Sequence, residues 1–135
     1  VAVSRYCLDT SAYSEFQRGD RRARTLIDQA EWIGLPAMVL GELRVGFRLG
    51  TQRDRNEETL RAFMANPVVE QLTVDAEVSL HYADIVLDLR RSGKPIPTND
   101  IWIAATAARA GATVLSNDEH FTAITRVGSI LLSSG

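Results

Sequence analysis

The sequence has 135 residues, 45 % of them apolar and 24 % charged, which suits one globular domain with a real core and is too short for two. A net charge of −2 argues against a passive RNA-binding module, which holds phosphate through a basic surplus, and leaves room for an enzyme that meets phosphate through a bound cation. One cysteine and two histidines exclude a disulfide framework, a cysteine-based zinc site and a histidine-rich metal centre.

Tyr6-Cys7-Leu8 is a short apolar run that reads as the end of a central strand, with Cys7 in the core. Asp9-Thr10-Ser11 then turns into a helix that Thr10 or Ser11 can cap. Ala12 to Ala30 reads as two helical pieces separated at Gly19-Asp20. Trp32 to Leu35 is a second strand, ended by Pro36. Ala37 to Phe47 has helical periodicity, with Leu40, Leu43 and Phe47 on one side and Glu42 inside. Gly41 and Gly46 are costly in a helix and suggest close packing or a break. Arg53 to Ala65 is a further amphipathic helix, stopped by Asn66-Pro67, and Val68 to Val74 a third strand. Ala76 to Arg91 is a helix with Val78, Ala83, Ile85, Val86 and Leu89 as its apolar side, closed by Gly93.

Lys94-Pro95-Ile96-Pro97-Thr98-Asn99 reads as a stiff extended connection, since each proline fixes its own φ and restrains the residue before it. Asp100 to Arg109 is an alanine-rich helix with Ile101, Ala104, Ala105 and Ala108 on one buried face. Thr113 to Leu115 is a strand, Glu119 to Ala123 a short helical turn, and Ser129 to Leu132 a last apolar run. Short apolar strands alternating with longer helices predict an α/β fold. The expectation is a three-layer α/β/α sandwich around a parallel sheet of four or five strands, with ligands at the carboxyl ends of the strands. The whole chain, 1–135, reads as one domain. No leader peptide and no membrane-spanning stretch is apparent, so the expectation is a soluble cytoplasmic protein without membrane contact.

Asp9 and Asp118 directly follow strands, Asp100 opens a helix and Glu42 lies within one. They are far apart in sequence, but the expected fold offers a way to gather them. Carboxylates in one cleft repel one another unless a cation sits among them. Mg²⁺ suits such a donor set, because it is hard, takes one or two protein carboxylates and shares the remaining positions with water and phosphate oxygens. For each acid a plainer role competes: helix cap for Asp9, cap or first-turn acid for Asp100, Asx turn or cap for Asp118, and partner of Arg44 or Arg48 or plain solvated acid for Glu42.

Thr10 and Ser11 are candidates to orient Asp9 or a metal's water shell, and Ser116 and Asn117 to support Asp118 or touch phosphate. Asn99 is read as a partner for the proline-loop backbone. Arg18, Arg21, Arg22 and Arg24 form one basic cluster, and Arg44, Arg48, Arg53 and Arg55 another. Either could hold an RNA backbone or a charged partner, though a solvated helix face is the plainer reading. His120 could reach a phosphate but, without a clear triad partner, reads as a surface histidine, and His81 reads as structural. Trp32 and Trp102 read as core or interface residues. Asp84 reads as solvated, and Asp20, Glu57, Asp75 and Asp88 as surface charge. Phe47 and Phe63 serve either a dimer face or the monomer core.

The blocks Leu8-Asp9-Thr10-Ser11, Glu42-Leu43 with Gly46, Gly93-Lys94-Pro95-Ile96-Pro97-Thr98-Asn99-Asp100-Ile101-Trp102-Ile103-Ala104-Ala105, and Val114-Leu115-Ser116-Asn117-Asp118-Glu119-His120-Phe121 together resemble a PIN domain. They are most similar to the VapC-type toxins of type II toxin–antitoxin systems. The resemblance spans essentially the whole chain, and Ser116 stands where the family often has threonine. It implies a PIN-like fold and Mg²⁺- or Mn²⁺-dependent endoribonuclease activity, commonly on tRNA or rRNA. Asp9, Glu42, Asp100 and Asp118 match the family's four acids in order. It further implies a homodimer, and a cognate antitoxin whose C-terminal segment covers the site in a hetero-oligomer. In that scheme Asp9, Asp100 and Asp118 hold one or two ions, while Glu42 is a ligand or deprotonates the attacking water. Rival readings are a small metal-dependent phosphatase, a phosphoacceptor domain and a catalytically silent interaction protein. The phosphatase's second aspartate is replaced by Ser11, the phosphoacceptor's early acidic pair is missing, and the complete acidic quartet argues against the silent protein.

Overall fold

In the computed structural model, which describes residues 4–132, five strands form one parallel sheet. They are β1 (Arg5–Leu8), β2 (Trp32–Pro36), β3 (Val69–Leu72), β4 (Thr113–Ser116) and β5 (Ser129–Leu131). The spatial order is β3-β2-β1-β4-β5, so the first strand lies at the centre. β1 pairs with β2 on one side, Cys7 opposite Gly34, and with β4 on the other, Leu8 opposite Leu115. Cys7 and Leu8, Val114 and Leu115 are all fully buried. Neighbours along a strand point to opposite faces, so both faces are covered and the architecture is an α/β/α sandwich. Burial pushes the Cys7 thiol up, with the nearby Asp9 charge adding to it, and leaves it an inert core residue.

The helices are α1 (Thr10–Gln17), α2 (Arg21–Asp28), α3 (Ala37–Leu49), α4 (Arg53–Met64), α5 (Ala76–Ser92) and α6 (Thr98–Ala110). α1, α2 and α5 begin at an aspartate whose side chain accepts from a backbone N–H of the first turn: Asp9, Asp20 and Asp75. Asp20 and Asp75 are therefore caps and not the plain surface charge expected of them. Gly93 and Gly111 end α5 and α6 in the left-handed conformation, φ 69° and 66°, which glycine adopts at no steric cost.

Other expectations also need correction. α6 starts at Thr98, two residues before Asp100. Pro97 ends the extended connection, so Asp100 falls in the first turn and does not open the helix. α6 is also buried on more than one side, with Ile103, Thr106 and Ala107 inaccessible beside Ile101, Ala104 and Ala105. Ala83 of α5 faces solvent. Gly41 and Gly46 are not close-packed, since an added Cβ at either would meet nothing within 4 Å. The close approach is in β2: a Cβ on Gly34 would lie 2.6 Å from the Trp32 ring and 2.7 Å from Leu72. Phe63 is partly buried and packs edge-on against Tyr13 and Phe16 at the border of the core. Trp102 stacks on Tyr82, ring centroids 3.8 Å apart. No helix among the described residues is long and apolar enough to cross a membrane.

Candidate active site

The β1–β4 pairing sets the site, because it places the ends of two adjacent parallel strands, and the residues just beyond them, side by side. Asp9 immediately succeeds β1 and Asp118 lies two residues beyond β4. The Asp9 backbone N–H donates to the Leu115 carbonyl at 3.2 Å, extending the ladder to the edge of the site. α3 brings Glu42 and the first turn of α6 brings Asp100. All four acids line one cleft of about 330 Å³, with Thr10, Ser11 and Arg18 among the other lining residues.

Asp9 is 5 % exposed, and its carboxylate is satisfied from three directions. Oδ1 accepts from the Ala12 backbone N–H and the Ser11 hydroxyl, both at 2.8 Å. Oδ2 accepts from the Ser116 hydroxyl at 2.5 Å. Each serine is used twice. Ser11 Oγ accepts from the Asn117 N–H and Ser116 Oγ from the Asp118 N–H, both at 2.8 Å. The loop after β4 is thereby locked to the start of α1. Burial raises the Asp9 pKa; the Ser116, Ala12 and Ser11 hydrogen bonds act against it, and the Asp100 charge adds to the rise. Asp9 thus caps α1 and at the same time lines the acidic cleft.

Glu42 is held more loosely. Thr10 donates to its Oε1 at 2.7 Å, and the Asn99 amide reaches Oε2 at 3.5 Å. Asn99 serves the acid, not the proline-loop backbone expected as its partner. Arg44 pairs with Glu57 at 3.0 Å, so Glu57 is no idle surface charge. Asp84 and Asp88 share Arg126, at 3.6 and 2.5 Å.

His120 is not the free surface histidine preferred from the sequence, because it stands against two of the cleft acids. Its Nδ1 lies 2.8 Å from Asp100 Oδ2 and 3.1 Å from Asp118 Oδ1. Its backbone N–H donates to Asp118 Oδ1 at 2.9 Å, which makes Asp118 the cap of the 3-10 turn Glu119–Ala123. The hydrogen bond to Asp100 raises the His120 pKa, with the neighbouring acids adding to the rise. Burial raises the Asp100 pKa, the His120 contact opposes this, and the charges of Asp118 and Glu42 add to it. Asp100, Asp118 and His120 bring one ligand atom each within 4.8 Å of one another. The available signal was local: a histidine two residues beyond a candidate acid, in a turn which that acid caps.

Of the arginines proposed to touch RNA or a partner, Arg18 lines the acidic cleft and pairs with Glu15 one turn back. Arg22 donates to the Leu131 carbonyl at 2.8 Å, and Arg24 lies over the Phe16 ring, so both have structural roles. Arg21 is exposed on α2. Arg44 and Arg48 line a separate charged hollow between α3 and α4, with Arg53, Arg61 and acids between them.

Residues 6–127 match the PIN domain. The chain belongs to the PIN-domain family. It is 29 % identical over 123 residues to ribonuclease VapC5 of Mycobacterium tuberculosis, covering 91 % of this chain and 90 % of the relative. With ribonuclease VapC4 of the same organism it shares 33 % over 102 residues, covering 76 % and 78 %. The structure resembles that of VapBC-5 from Mycobacterium tuberculosis, a member of the VapBC family of toxin–antitoxin systems. The TM-score is 0.72 at 28 % identity, over 94 % of this chain and 98 % of the other. This PIN chain is thus closely related, in sequence and in fold, to the VapC-type ribonucleases.

Proposed function

We propose that this chain is a divalent-metal-dependent endoribonuclease, the toxin of a toxin–antitoxin pair, and that Asp9, Glu42, Asp100 and Asp118 form its active site. The observation that carries this reading is the convergence of four acids from four separate elements on one cleft, in a chain whose relatives are ribonucleases. Structural carboxylates are ordinarily matched by cations. Here burial and neighbouring acids raise two of the four, the electrostatic pattern of a place that suits added positive charge.

The donor set fits Mg²⁺ or Mn²⁺, being mostly hard carboxylate oxygen with one imidazole nitrogen at the edge. Asp9, Asp100 and Asp118 would hold the ion, which when bound supplies positive charge to a scissile phosphate and acidity to water. Glu42, oriented by Thr10 and Asn99, takes the proton from the attacking water. The water oxygen bonds to phosphorus as the bond to the leaving ribose oxygen breaks. Ser11 and Ser116 hold Asp9 in one rotamer throughout. Arg18, at the rim, neutralises an adjacent phosphate. No side chain serves as the nucleophile.

Substrates of the tRNA or rRNA class, a homodimer, a cytoplasmic setting and an antitoxin whose C-terminal segment covers the cleft complete the proposal. The antitoxin is supported by the toxin–antitoxin membership of the structural relative. The test is incubation of total tRNA and rRNA with the antitoxin-free protein in Mg²⁺, in Mn²⁺ and in EDTA, beside Asp9→Asn. Defined cuts that need metal and vanish in the variant are expected. Metal binding without cleavage of any RNA would instead make the chain a silent binding protein.

A further inference from the structure

A second cavity, of about 470 Å³, lies between α1, α3 and α4, and none of the proposed chemistry uses it. It is continuous in lining with the acidic cleft, because Ser14 and Arg18 border both. Ser14 lies one turn beyond Thr10 on α1, roughly 6 Å along the helix axis. The hollow is therefore about one residue step of a polymer away from the acids. Its size is that of a small-ligand pocket.

Three side-chain amides line it: Gln17 from α1, Asn56 from α4 and Gln52 just before α4. Each amide presents a donor and an acceptor together, the pattern that matches the edge of a nucleobase. Phe47 supplies an aromatic wall and Leu43 an apolar one, while Arg55 adds positive charge. Tyr13 also lines the cavity. It is 3 % exposed, and its hydroxyl is buried with no hydrogen-bond partner. The Gln17 side chain is a polar neighbour and acts to lower the phenol pKa that burial raises. An orphaned buried hydroxyl costs stability, and a polar occupant that reached it would remove that cost.

We infer that this cavity is a base-reading subsite, which takes one unstacked nucleobase of the RNA beside the scissile phosphate. Single-stranded RNA is recognised in this way, by a base splayed out, laid on an aromatic side chain and hydrogen-bonded along its edge. The inference rests on the ribonuclease reading of the adjoining cleft. An apolar peptide side chain would offer nothing to the three amides or to the Tyr13 hydroxyl, so the lining favours a base.

The test uses the whole protein carrying Asp9→Asn, to prevent cutting, in Mg²⁺. Uridine octamers with A, C, G or U at each position in turn are titrated by fluorescence anisotropy. One base at one position should bind about tenfold tighter than the others. Asn56→Ala and Gln52→Ala should each bring that preference to about twofold or less while the plain uridine octamer still binds. Tyr13→Phe, which keeps the ring and the packing, should weaken it to a smaller degree. Equal binding of all octamers would overturn the inference. So would a preference that survives both alanine variants. Equal binding combined with weaker association of those variants with the cognate antitoxin would make the hollow a peptide groove and overturn it as well. A base preference in a wild-type protein that cuts no RNA would sink the nuclease reading and leave the subsite standing. Cleavage without base preference would do the reverse.

Discussion

The two sides of the acidic cleft are built differently. Asp9 is buried at the end of the central strand, with both oxygens engaged and two serines tying it to the neighbouring loop. Asp100 and Asp118 come from a helix start and a 3-10 turn, are more open to solvent, and are spanned by one half-exposed histidine. Asp9 keeps its position because the sheet and a helix cap fix it. The opposite pair keeps its position through contacts that an ion would compete for. A cation site with one fixed wall and one adaptable wall can admit an ion without distorting the core.

The largest effect expected is on the fixed wall. Asp9→Asn should lower RNA cleavage about a thousandfold, since it removes a ligand charge while conserving shape; a loss of only a few fold would show that the buried acid is a cap alone. Ser116→Ala comes next. It strips one oxygen of Asp9 and the Asp118 N–H of their shared partner, so metal affinity measured by calorimetry should fall about 10- to 100-fold. Unfolding free energy in denaturant should drop by about 1–3 kcal/mol. A variant equal to wild type in both would mean that the two walls do not differ. Thr10→Val frees Glu42 from its strongest contact. It should reduce kcat about three- to tenfold with little change in metal affinity, and a change in affinity alone would make Glu42 a ligand and not the proton acceptor.

The smallest effect, about one or two degrees in Tm, concerns the metal-free protein in EDTA. Asp9 and Asp100 have folded pKa values above that of a free carboxyl. The folded state therefore holds their protons more tightly, and stability falls as pH rises from the ordinary aspartate range through the raised values. His120 is raised too. Its contribution is fully present below the usual histidine value and is lost as pH rises through the folded one. Asp9→Asn should flatten the acidic part of the Tm profile and His120→Asn the near-neutral part. A profile that both variants leave unchanged would contradict the charge arrangement described.

The difference between the walls also explains how much of the site could be read before folding. Asp9 and Asp118 each stand just past an apolar run, and in a parallel sheet that position alone carries them to the ligand edge. Asp100 and Glu42 are less direct, because a helix residue reaches the cleft only if its helix is rotated correctly. His120 and Asn99 were given the wrong partners because their directions depend on how a single turn wraps around Asp118, and on α6 beginning at Thr98. Pro97 reads in sequence as a continuation of the extended segment, yet a proline's fixed φ is equally compatible with the threshold of a helix. Asp20, Glu57 and Asp75 looked like solvent charge because a cap or ion pair is recognisable only once the element boundaries are set.

The Ser116–Asp9 hydrogen bond joins residues 107 positions apart in the chain, and β4 joins the sheet directly against β1. During synthesis the elements through α5 can emerge and begin to fold while half of the cleft does not yet exist. Chains are made from the N-terminus at about 5–20 residues per second, so the interval between the end of α5 and the appearance of Ser116 lasts about one to five seconds. A nascent copy would therefore lack an assembled cleft until β4 closes on β1.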